Sequence, residues 1–242
     1  MKIVKFTLKG EHAFFKKPDV NSYVYFTYNQ IHKVALLGMF GAILGYKGYE
    51  SQKGKPYPEF YEKLKDLKLA IIPKNKYGIF PKKIQVFNNS VGYASFEQGG
   101  NLIIKEQWIE APEWDIYFAV IDEASEQLAD FILNQKCIYI PYLGKNDHPA
   151  DILNPISLEG VQTGEEGITI HSLMPKDNVE LESDFEEEEM EELLFRYEEE
   201  LPTGLKENVN TYELKKLIYT NQPIKESRVP IYEVESKNII LI

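Results

Sequence analysis

The sequence predicts an α+β protein. A ferredoxin-like βαββαβ domain over residues 1–144, carrying a long β-hairpin, precedes a smaller, acidic and mainly β region over 145–242. Three observations predict this. Lys2–Lys9 alternates with a period of two, a nearly unbroken apolar helix-like run follows it, and the elements come in a telling order. That order is strand, helix, strand, hairpin, strand, helix, strand, which is βαββαβ once the hairpin is set aside.

In the first strand Ile3, Phe6 and Leu8 alternate with Lys5, Thr7 and Lys9. The loop from Gly10 to Phe26 leads into a helix expected from Tyr28 to Gly45. Thr27 and Gln30 stand at the N-cap and N3 spacing of a capping box, and Phe26 and Ile31 at the positions of a hydrophobic staple. The helix body, VALLGMFGAIL, is apolar on most sides and is expected to be buried. Gly38, Gly41 and Gly45 share a face, which suits close approach of another backbone. The first turn, with Asn29, Gln30, His32 and Lys33, is polar and is expected to emerge into solvent or onto a ligand.

Downstream the pattern gives a short helix over Glu59–Asp66, a strand over Leu67–Ile72, and a hairpin pairing Ile84–Ser95 with Asn101–Glu110 around Gln98-Gly99-Gly100. An apolar strand over Ile116–Ile121 follows, then a helix capped by Asp122 or Ser125 with Leu128, Phe131 and Ile132 on one stripe. Cys137–Leu143 reads as a further buried strand, with Cys137 a small core residue. Beyond Gly144, Ile152–Ser172 and Ile231–Ile242 read as strands, and Glu180–Glu200 as a solvated loop or exposed helix.

The chain has 242 residues and one cysteine, so it has no disulfide framework and a cytosolic setting is expected. MKIVKFTLKG reads as a strand and not as a secretory signal. The net charge of −11 hides a split: residues 1–110 hold 17 lysines against 9 acidic residues, and the remainder holds 10 basic against 29 acidic. A basic working face beside an acidic remainder is the expectation. The sequence contains no phosphate-cradling GxxxxGK[ST], no HExxH and no paired CxxC, and its four histidines, His12, His32, His148 and His171, are scattered.

The chemistry concentrates in the stretch from Lys9 to Lys33. Lys9, Lys16, Lys17 and Lys33 offer charge to phosphates. His12, Phe14, Phe15, Tyr23, Tyr25 and Tyr28 offer faces for unstacked bases. Asn21, Ser22, Asn29 and Gln30 can read base edges or a 2′-hydroxyl. A helix N-terminus beside them adds N–H donors and a positive dipole end. Single-stranded RNA is the ligand this set suits.

FKKPDVNSYVYFTYNQIHKVALLGMFGAILG, residues 15–45, resembles the N-terminal signature of the CRISPR-associated Cas-five family, in particular its type I-B branch. VGYASFEQGGNLIIKEQWIEAPEWDIYF is similar to that family's hairpin and following strand, PYLGKNDHPADI to its LG-x-(S/N)-x-x-P-A turn, and LFRYEEELPTGLKENVNTYELKKLIYTN to its C-terminal segment. The resemblance implies an RRM-type fold of the RAMP superfamily. It implies a subunit that caps the 5′ handle of a crRNA in a type I surveillance (Cascade) complex, touching backbone and large subunits and reaching target DNA only through the complex. The handle binders would then come from Lys16–Lys33, including His32, and from Lys145 and Asn146. The hairpin over about 84–110 would be a thumb, with Lys82, Lys83, Lys105 and Trp108 in or beside it. No catalytic residue, metal or cofactor is implied. One branch of the family cuts precursor crRNA without metal, and Tyr46, Lys145, His148, His32 and His12 are the residues here that could do such work. A purely structural interaction protein is the other alternative.

Overall fold

The structure, a computed structural model, describes residues 1–18, 23–93, 96–164, 167–183 and 193–242. The N-terminal part holds β1 (Lys2–Lys9), β2 (His12–Ala13), α1 (Lys33–Leu44), α2 (Glu59–Leu64), β3 (Leu69–Pro73), β4 (Lys82–Asn88), β5 (Ile103–Glu110), β6 (Glu113–Ala119), α3 (Glu123–Leu133) and β7 (Asp151–Glu159). The rest is β8 (Val161–Thr163), β9 (Met174–Pro175), β10 (Val179–Leu181), β11 (Arg196–Leu205), β12 (Tyr212–Thr220), β13 (Ile224–Ser227), β14 (Ile231–Val234) and β15 (Lys237–Ile240).

The main sheet runs β3-β6-β1-β7, all antiparallel. With α1 and α3 as the two crossovers this is the ferredoxin-like arrangement. Val4, Phe6 and Leu8 point from β1 into the helical core with Trp114, Ile116 and Phe118 of β6. The opposite face places Ile3, Ala70, Ile72 and Tyr117 against Val234 and Ile239, so β14 and β15 cover it. Lys5 on that face pairs with Glu235 at 2.7 Å, and Thr7 donates to Asp115 at 2.8 Å.

The fourth strand is not the one expected. Cys137–Leu143 is an irregular segment, exposed except at Pro141 and Leu143, and the strand beside β1 is β7, past Gly144. The apolar run 137–143 has another job. Ile138 N donates to Ile43 O at 2.8 Å and Tyr139 N to Ala42 O at 3.2 Å, so the segment satisfies carbonyls at the end of α1. Ile138, Tyr139, Ile140 and Tyr142 are left exposed, and so is Cys137, which is no core residue.

The start of α1 also differs. Its N-cap is His32, whose Nδ1 accepts from Ala35 N at 3.2 Å. Thr27 instead accepts from Phe15 N at 2.9 Å, within a ladder in which Lys17 N donates to Phe26 O and Tyr28 N to Phe15 O, both at 2.8 Å. Phe26 is exposed, so the expected staple is absent. Local cap spacing lost to a cross-loop pairing that ties up the same threonine. The C-terminus of α1 follows expectation, closing on Gly45 in the left-handed region at φ 76°. Of the three glycines, Gly41 makes the close approach: a Cβ there would sit 2.4 Å from Phe60 Cβ of α2. At Gly38 it would meet only Phe60 Cε2, at 3.9 Å.

Of the remaining elements, α2, β3, β6 and α3 track the sequence. The expected strand Ile152–Ser172 divides into β7 and β8 and ends at Thr163, Ile231–Ile242 is the β14–β15 hairpin, and β9 to β13 carried no strand expectation. Asp122 caps α3 in a capping box with Ser125. The hairpin β4–β5 pairs from Lys82↔Ile109 to Asn88↔Ile103, shorter at its tip than expected. Residues 184–192 of the acidic stretch lie outside the described residues, but Arg196–Glu200 belongs to β11 and is strand, not a solvated loop or helix. Among the described residues no helix is long and apolar enough to cross a membrane.

Candidate nucleic-acid interface

Three segments converge beside α1. The first is the ladder of residues 14–17 and 25–28. Tyr25 docks it on the hairpin: Tyr25 N donates to Lys105 O and Gln107 N donates to Tyr25 O, both at 2.9 Å. The second is the base of the hairpin, where period-two alternation puts Glu106 and Trp108 of β5 on one face. The third is the turn after Leu143, pinned where Phe14 N donates to Leu143 O at 3.0 Å. Gly144 makes that contact feasible, since it sits at φ 86° and a Cβ would lie 1.9 Å from Phe14 O.

These segments wall a cleft of about 800 Å³. Its floor is one face of α1, with Ala35, Gly38, Met39 and Ala42 at helical spacing. The small side chains there leave the room. Phe14, Tyr46, Tyr139, Tyr142 and Tyr212 supply aromatic walls, and Lys16, Lys145 and Glu106 supply charge. Lys16 Nζ lies 3.8 Å from the centre of the half-buried Tyr25 ring. Lys145 Nζ pairs with Glu106 Oε2 at 2.8 Å and lies 4.9 Å and 5.6 Å from the ring centres of Phe87 and Trp108. Glu106 also accepts from Trp108 Nε1 at 2.7 Å. An 800 Å³ aromatic cleft with lysines at its rim has the volume and chemistry of a nucleotide-sized site.

The residues expected to bind RNA divide into groups. Phe14, Lys16 and Lys145 line the cleft, and Asn146 is exposed in the next position. Tyr23 is 88% exposed. Lys17 is held by Glu199 at 3.2 Å. His12 lies under the hairpin, its Nε2 2.5 Å from Lys83 Nζ and its ring 5.6 Å from Trp108. Lys82 and Lys105 are exposed on the hairpin. Lys9, at the end of β1, stands in register with Glu113 and Asp151, away from the cleft. Asn21 and Ser22 lie outside the described residues.

The expected polar first turn is a buried structural cluster and does not emerge. Tyr28, Asn29, Gln30, His32 and Lys33 are all buried. Gln30 accepts from Trp114 Nε1 at 2.7 Å, and its amide donates to Gly78 O, as does Asn29 Nδ2. Lys33 donates to Ile242 O at 3.3 Å, and burial lowers its pKa to about 8. Burial lowers that of His32 to about 3, which keeps its cap nitrogen an acceptor. His32 reaches the cleft wall; Asn29, Gln30 and Lys33 do not. The polarity that suggested a wet helix end is used to satisfy buried backbone.

Sequence reasoning missed Glu106, Phe87, Tyr139, Tyr142, Tyr212 and Glu199. Only Glu106 carried a local signal, its alternation with Trp108. Among the described residues no three His, Cys, Asp or Glu side chains gather where they could hold a metal ion.

No protein-family model matches the chain, and no curated protein matches it. Solved structures do. A chain of a CRISPR RNA-guided surveillance complex superposes with a TM-score of 0.52 at 13% identity, covering 91% of each chain. The chain shares its fold with CRISPR proteins. A CRISPR protein from Archaeoglobus fulgidus gives 0.51 at 13% identity over 100% of this chain and 98% of that one. A chain of the Type III-B Cmr-beta complex bound to cognate target RNA and AMPPnP gives 0.51 at 11% identity over 93% and 86%. The likeness to these CRISPR chains spans both the ferredoxin-like part and the β-rich remainder.

Proposed function

We propose that the chain is an RNA-binding subunit of a CRISPR complex, of the RAMP superfamily and the type I-B-like branch of the Cas-five family. In this reading it caps the 5′ handle of a crRNA. The observation that carries the reading is the cleft: aromatic walls, lysines at the rim, and a floor of small residues on α1. Single-stranded RNA is bound by stacking and phosphate charge together, and this cleft offers both. The fold likeness and the signature over residues 15–45 support the same assignment. The projecting hairpin, with Ile84, Val86 and Ile103 exposed on one face, suits contact with a neighbouring backbone subunit. The large subunit is the other expected protein partner. The test is to purify the chain and its complex from cells carrying the repeat array. RNA that co-purifies should begin with the repeat-derived 5′ end; protein free of RNA, with no affinity for the handle, contradicts the reading.

A second reading is metal-independent cleavage of precursor crRNA, which the handle-capping role does not require. What favours it is the grouping of His12, His148 and Lys145 around Trp108, with the two imidazole centres 5.9 Å apart. General acid–base cleavage needs such a pair. Burial pushes the His148 pKa down, which leaves a neutral base. Tyr46, also on the cleft wall, is not part of this group and donates to Gln127 at 3.1 Å. Incubation with repeat RNA in EDTA decides between them: intact RNA supports the binding subunit, cleaved RNA the nuclease.

A further inference from the structure

The acidic C-terminal half reaches into the basic loop through one side chain. Alternation along β11 exposes Arg196, Glu198 and Glu200 and turns Tyr197 and Glu199 inward. The Glu199 carboxylate is only 11% exposed. Its two oxygens accept from Asn29 N at 3.1 and 3.0 Å, and it also accepts from the Tyr197 hydroxyl at 2.5 Å. Lys17 Nζ completes the set at 3.2 Å, and Lys82 of β4 lies within electrostatic reach of both Glu199 and Lys17. A carboxylate buried this far is tolerated only when paired and hydrogen-bonded. Two of its partners, Lys17 and Asn29, stand at opposite sides of the 15–17/26–28 ladder, so Glu199 ties both strands of that ladder to β11.

We infer that Glu199 is a positioning residue for the RNA interface: it fixes segments 15–17 and 26–29 against each other and neutralises Lys17, leaving Lys16 as the phosphate-facing charge of that ladder. This rests on the RNA-binding reading above. The carboxylate thereby sets how many phosphates the loop engages, from a position 170 residues away from Asn29.

Two variants separate the two roles. Glu199→Gln keeps an acceptor for Asn29 N and removes the negative charge that offsets Lys17; Glu199→Ala removes both. In the full chain without RNA, amide hydrogen exchange over 15–29 should rise about tenfold in Glu199→Ala and far less in Glu199→Gln. Binding of the single-stranded 5′ repeat RNA, followed against salt, should steepen by about 0.7 in Glu199→Gln, one phosphate's share. That gain should vanish when Lys17→Ala is added. Unchanged exchange in Glu199→Ala would overturn the positioning role. An unchanged slope in Glu199→Gln, or a steeper slope that persists with Lys17→Ala, would overturn the neutralising role. A wild-type chain that fails to bind the RNA would overturn the binding reading and with it any role of Glu199 at an interface, while the exchange result would still report on the loop.

Discussion

The indole Nε1 of Trp114 donates to Oε1 of Gln30 at 2.7 Å, joining the start of β6 to the residues just before α1. Both side chains are fully buried. Gln30 also bonds Gly78 O, so one amide satisfies groups from two other segments. Gln30→Ala should therefore cost about 1–3 kcal/mol of stability by leaving buried donors and acceptors unpaired. Urea unfolding measures it. RNA affinity per folded molecule should be unchanged, since Gln30 does not line the cleft.

The buried N-cap His32 makes stability depend on pH. Its folded pKa of about 3 lies below the ordinary value of 6.5, so between these values the unfolded chain binds a proton that the folded chain refuses. Its contribution is whole above 6.5 and is lost as pH falls toward 3. The slope is about 1.4 kcal/mol per pH unit inside that window. His32→Asn keeps a capping side chain without the titration. It should flatten the fall in stability relative to wild type; identical pH profiles would show that His32 does not stay neutral.

The glycines of α1 should behave oppositely. Gly41→Ala drives a methyl into Phe60, with 2.4 Å between the Cβ atoms, and should destabilise by about 1–3 kcal/mol. Gly38→Ala meets ordinary contact and should be neutral or stabilising by up to about 1 kcal/mol. Gly38→Leu fills the cleft floor, so it should leave a folded protein with weakened RNA binding. Thermal melts and RNA titrations report both.

The hairpin should be separable. Replacing residues 89–102 by Asn-Gly joins the paired ends Asn88 and Ile103 with a two-residue turn. The shortened chain should fold, because the main sheet and the three hydrophobic clusters are untouched, and should still bind a short 5′ handle RNA. It should fail to co-purify with backbone subunits. Normal assembly would mean that the hairpin is no thumb.

Legibility followed the range of the interaction. β1, α3 with its cap, and the ferredoxin-like order of elements up to α3 were readable because period and capping are local. The start of α1 was not, because Thr27 pairs with Phe15 across a loop. Nor was the fourth strand. CIYIPYL has the apolar character of a buried strand, yet its backbone caps α1, and β7 lies further along. At the site, lysines and aromatics between Phe14 and Tyr28 were visible by type. Their fates were not: Lys16 stacks on Tyr25, while Lys17 is held by a glutamate from the other end of the chain.

The central claim is that Lys16, at the rim of the α1 cleft, meets a phosphate of a single-stranded handle. Lys145 shares the rim but is held by the buried Glu106 at 2.8 Å, as Lys17 is by Glu199. The most direct measurement is the affinity of the purified chain for the 5′ repeat RNA across a salt series, by fluorescence anisotropy. The account predicts that Lys16→Ala, folded by circular dichroism, binds more weakly and loses about 0.7 from the slope of log affinity against log salt, one phosphate's share. An unchanged slope in the folded Lys16→Ala variant would contradict it.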